Sequence, residues 1–62
     1  MIPIESLTDA DKGRKVVYQK WPIMRRERGV ISSWNESVIF VRYGADLTAK
    51  ATRPEDLEWV RR

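Results

Sequence analysis

The segment from Arg28 to Tyr43 leaves this chain few choices of fold. Two runs rich in β-branched and aromatic residues, Val30-Ile31 and Val38-Ile39-Phe40-Val41, flank a short polar break that contains Asn35. That is the pattern of two antiparallel strands joined by a tight turn. A three-residue loop of Trp34, Asn35 and Glu36 would pair Ser33 with Ser37, Ile31 with Ile39 and Gly29 with Val41, placing Ile31, Ile39, Val41 and Tyr43 on one face. A two-residue loop would pair Ile31 with Phe40 and turn Arg42 inward, where an unpaired guanidinium is heavily penalised by desolvation. The first register is the expected one. It leaves Val30, Val38 and Phe40 on the outer face, shielded by the N-terminal arm.

The remaining segments read as further short strands and turns. Ile2, Ile4 and Leu7 with Pro3 describe an extended arm pinned through Ile4 and Leu7. Thr8 to Lys12 combines a capping Thr, early acids and a late Lys before Gly13, which describes a single helical turn. Lys15 to Gln19 is a strand. Pro22 keeps the segment from Lys20 to Arg26 out of any central strand and makes it a loop. Gly44 to Leu47 is a turn. Thr48 to Thr52 alternates as a strand with Ala49 and Ala51 facing inward. Arg53 to Leu57 is a second helical turn, with Pro54 in its first turn and Leu57 directed to the core. Glu58 to Val60 closes as a last strand, and Arg61 and Arg62 form a solvated end. The expectation is an all-β fold: one domain over residues 1–62, a small five-stranded barrel with an arm and helical turn over 1–12 and a second turn near 53–57.

Composition narrows the functional classes. A 62-residue chain buries only about 60% of the surface its unfolded form exposes. With no Cys and no His, neither a disulfide nor a structural zinc site is expected to support it. The same absence removes the usual nucleophile and general base, and Glu55, Asp56 and Glu58 read as turn formers and solubilising charges. Three glycines form no phosphate-cradling loop. An enzyme, a cofactor, a metal and a small-molecule substrate are therefore not expected. No apolar run suits a membrane span and no secretion signal is apparent, so a cytoplasmic location is the default.

The quoted motifs also carry a resemblance. Gly13-x-x-Val16-Val17-Tyr18, Glu27-Arg28-Gly29-Val30-Ile31-Ser32-Ser33-Trp34-Asn35, Phe40-Val41-Arg42-Tyr43 and Ala51-Thr52-Arg53-Pro54-Glu55-Asp56-Leu57 resemble a group of short phage- and prophage-encoded bacterial proteins of uncharacterised function. More loosely, the chain is similar to SH3-like barrels of the Tudor and KOW type. The resemblance implies an SH3-like barrel and a phage-related origin, and no particular activity.

Two surfaces stand out as binding candidates. Trp21, Ile23 and Met24 in the Pro22 loop, with Val38 and Phe40 from the hairpin, would make an apolar contact ringed by arginines, suited to a protein partner or to self-association. The second is basic. Lys and Arg number 12 against 9 Asp and Glu, and Lys12, Arg14, Lys15, Lys20, Arg25, Arg26 and Arg28 cluster early, interleaved with Tyr18 and Trp21. Arg14, Lys15, Lys20, Arg25, Arg26 and Arg28 are the residues through which nucleic acid would bind, phosphates on cations and bases on aromatics. Protein contact is the first expectation and nucleic acid the alternative. Trp34 and Trp59 are assigned to packing.

Overall fold

The computed structural model describes residues 1–19, 26–44 and 47–60. It is all-β apart from single 3-10 turns. The strands are β1 (Lys15–Gln19), β2 (Arg26–Trp34), β3 (Ile39–Tyr43), β4 (Lys50–Thr52) and β5 (Leu57–Trp59). They form one antiparallel sheet in the order β4-β3-β2-β1-β5. The five-stranded all-β expectation is met, and the turns at Asp9–Asp11 and Pro54–Asp56 fall where the sequence placed them.

Alternation along the strands sorts the side chains into two faces. Val16, Ile31, Ile39, Val41, Tyr43 and Leu57 point inward and form the core with Ile2. The expected inner face of the hairpin is thus the observed one, but its register differs. Ile31 pairs with Val41 and Gly29 with Tyr43, a shift of two positions, which keeps every side chain on its face while changing its neighbour. The cause lies in the turn. Asn35 accepts hydrogen bonds from the amides of Ser37 (2.7 Å) and Val38 (2.8 Å) through Oδ1, and its own amide donates to the Val38 carbonyl at 3.0 Å. The loop therefore runs from Asn35 to Val38, one residue longer than expected.

A bulge between Ile31 and Ser33 then brings Trp34 opposite Ile39. The extra residue turns the Trp34 indole to the inner face, where it packs against the core half-buried. Trp59 packs there too, as the sequence suggested.

Four further expectations need correction. The deepest residue of the arm is Ile2, fully enclosed and donating its amide to the Pro54 carbonyl at 3.0 Å, while Ile4 and Leu7 are only partly buried. The arm is not extended throughout, because Ile4–Ser6 forms a 3-10 turn. It lies on the core side and so does not shield Val30, Val38 and Phe40 as expected. In β4, Ala51 is exposed opposite Phe40 and Thr52 is the buried residue. Thr52 can be buried because its hydroxyl pairs with the Tyr43 hydroxyl at 2.7 Å, which satisfies both groups.

The first helical turn is held by Asp11. Its carboxylate accepts from the Thr8 amide at 2.9 Å and from Arg14 Nη1 at 2.9 Å. These bonds hold the Asp11 carboxyl below its ordinary pKa, the Thr8 amide contributing most and Arg14 next. A depressed folded-state value means stability that is present above the ordinary carboxylate range and lost as pH falls through the folded value. Asp11→Asn is expected to be less stable than the parent at neutral pH, and the gap should close as pH falls below the ordinary carboxylate value and through the lowered folded one. Thermal melts across that range check it, and a gap independent of pH would contradict it.

Candidate functional site

The outer face of the sheet carries the charge. Because Val16, Gly29, Ile31, Val41, Tyr43 and Leu57 face the interior, Lys15, Val17, Gln19, Arg26, Arg28, Val30, Phe40, Arg42 and Glu58 face outward. The register places them in rows. Arg42, Val30 and Lys15 sit side by side across three strands, and Arg28, Val17 and Glu58 form the next row. Arg26 lies opposite Gln19. Lys15, Arg26, Arg28 and Arg42 are all exposed, and none has a carboxylate partner among the described residues. The one strand carboxylate on this face, Glu58, is ion-paired with the amino group of Met1.

Between β2 and β5 this face is concave. A groove of about 670 Å³ has Arg26 and Arg28 on one wall, Glu58, Trp59 and Val60 on the other, and Val17 and Gln19 in its floor. Val17 is 7% exposed although it lies outside the main core. Arg14 is spent elsewhere: its guanidinium lies 3.9 Å from the Trp59 ring centroid and pairs with Asp11. Lys12 likewise pairs with Asp9 at 3.7 Å and sits over Trp34, 5.8 Å from the ring centroid.

The early cationic cluster therefore divides. Lys15, Arg26 and Arg28 share the outer face, whereas Arg14 is tied to the turn before β1. Arg42 joins them from β3, a residue outside the sequence-derived set; its outward position was legible from the strand alternation, its partners were not. Lys20 and Arg25 lie outside the described residues, as do Trp21, Ile23 and Met24 of the apolar candidate surface. Of that surface, Val38 and Phe40 are described, and both are half-buried.

A second concavity of about 310 Å³ opens beside Tyr18 and Tyr43, whose rings meet edge to face at 6.0 Å. Burial pushes the Tyr43 hydroxyl above its ordinary pKa in spite of the Thr52 hydrogen bond. Its charges are balanced, Glu27 and Asp56 against Lys50 and Arg53. Of these two concavities, the groove between β2 and β5 carries the net positive charge, Arg26 and Arg28 against Glu58.

Among the described residues no group of His, Cys, Asp or Glu is arranged to hold a metal ion, and no helix is long and apolar enough to cross a membrane. No family model, curated protein or solved structure compared with the chain matches it, and the site is read from its own residues.

Proposed function

We propose that this chain is a small non-catalytic binding module, an SH3-like barrel of phage-related descent, that takes up nucleic acid on the outer face of its sheet. The observation that carries the reading is the set of four exposed cations, Lys15, Arg26, Arg28 and Arg42, on three adjacent strands. Four exposed lysine and arginine side chains on one side of a sheet concentrate positive potential there, which attracts a polyanion and is screened by salt. The protein-contact reading rests on Trp21, Ile23 and Met24, outside the described residues, and on the half-buried Val38 and Phe40, and has less support.

Phosphate binding of this kind releases counterions, so affinity falls with salt in proportion to the number of phosphates neutralised. With four contacts to a single strand, log K against log salt should have a slope of about −3, and Arg26→Ala with Arg28→Ala should reduce it to about −1.4. Fluorescence anisotropy of a labelled oligonucleotide in rising KCl measures both. An unchanged slope in the double variant moves the interface off this face. A partner complex that keeps its strength as salt rises would replace nucleic acid with an apolar protein contact.

A further inference from the structure

We infer that the nucleic acid is double-stranded and is held by its phosphates, with no base stacked or read. Given the proposed function, on which this rests, two features of the fold select the duplex: where the aromatic rings lie and how the cations are spread. A single strand gains on a protein surface by stacking its bases on exposed rings, about 5- to 150-fold in affinity per base. The described rings deny it that gain. Tyr18, Trp34, Tyr43 and Trp59 all pack on the core side of the sheet. Arg14 covers the Trp59 ring at 3.9 Å, and Lys12 lies over that of Trp34 at 5.8 Å. Phe40, the one described ring on the outer face, is half-buried and lies on the side of Arg42 away from Arg28.

The cations extend in two directions. Lys15 and Arg42 flank Val30 on adjacent strands, about 10 Å apart, and Arg28 and Arg26 continue along β2 to about 14 Å from that row. Over about 14 Å a duplex carries about eight charges and a single strand about four, so the duplex meets a patch with both length and width without being bent to follow it. Base edges stay out of reach. The major groove admits a ribbon of two strands, whereas β1, β2 and β3, which carry the cations, lie inside a sheet of five. The two-stranded tip at the Asn35 turn could enter a groove, but from Val30 to Val41 the chain has no Lys or Arg. Binding without sequence preference follows.

The test compares four probes on the whole chain by anisotropy from about 50 mM to about 1 M salt: two DNA duplexes of unrelated sequence and about 20 base pairs, oligothymidylate of about 20 nucleotides, and poly-glutamate of similar charge. Four neutralised phosphates release about 3.6 counterions from a duplex and about 2.8 from a single strand, so the duplexes should bind about tenfold tighter at about 50 mM and converge with oligothymidylate toward about 1 M. The two duplexes should agree within about fivefold, the least that reading one base pair would contribute. Arg42→Ala should lower the duplex slope from about −3.6 to about −2.7. Oligothymidylate bound at least as tightly as the duplexes, with the Arg26→Ala and Arg28→Ala loss of slope intact, overturns the duplex and leaves the phosphate face standing. A wider gap between the two duplexes overturns recognition through phosphates, and an unchanged slope in Arg42→Ala removes β3 and the width of the patch. Poly-glutamate bound as tightly as the duplexes assigns the face to an acidic protein, and no binding by any probe removes the proposed function as well.

Discussion

Gly29→Ala is expected to lower the thermal midpoint by about 10–20 °C, a large loss for so short a chain. Gly29 lies on the inner face of β2 directly opposite Tyr43, at the centre of the ribbon. A methyl group there would collide with Val41 Cγ1 and come 2.9 Å from both the Arg42 carbonyl oxygen and Tyr43 Cδ1. The carbonyl belongs to the β3 backbone and cannot rotate away, so the two strands would have to part. Overpacking of this kind costs about 1–3 kcal/mol, against a total stability of about 3–5 kcal/mol for a domain this small. Circular dichroism melts decide the matter. A midpoint within about 2 °C of the parent would mean that β2 and β3 separate freely, contrary to the close approach described.

The second large effect is expected at Ile2. Its side chain is fully enclosed by the core although it belongs to the arm, so Ile2→Ala should cost about 2–5 kcal/mol through lost burial and the cavity left behind. The backbone bond to Pro54 survives the substitution, which isolates the side chain as the cause. Urea titrations of Ile2→Ala beside Leu7→Ala make the comparison, because Leu7 is only partly buried. If Leu7→Ala proves the more damaging, the arm is anchored at its far end and Ile2 is not its principal contact.

Ile2 also shows where the sequence stops being informative. Ile2, Ile4 and Leu7 are similar apolar residues around one proline, and nothing local ranks them. Their depth is decided by the carbonyl of Pro54, at the other end of the chain. The hairpin was legible because its inner face obeys a period of two, and the error in register was an even number of residues, which a face pattern cannot detect. The bulge beside Ser32 and the loop closed by Asn35 both depend on backbone geometry that residue identity only permits. At the candidate site the basic segment was visible as a run. Its division was not: Arg14 turns to Asp11 and Trp59, while Arg42 arrives from a strand far along the chain. The burial of Thr52 in place of Ala51 has the same origin, since only the fold brings the Tyr43 hydroxyl within reach.

The two walls of the groove between β2 and β5 close over very different sequence separations. Arg26 and Arg28 belong to the ribbon that closes over the Asn35 turn, a short-range contact that forms readily. Glu58 and Trp59 are brought in only when the terminal strand zips onto Val16 and Val17, partners from the opposite end of the sequence, which is the slow kind of closure. Without that strand docked, Arg26 and Arg28 would have no wall facing them. A ligand that filled the groove would therefore report the seating of the final strand, and tight binding would in turn hold that strand down.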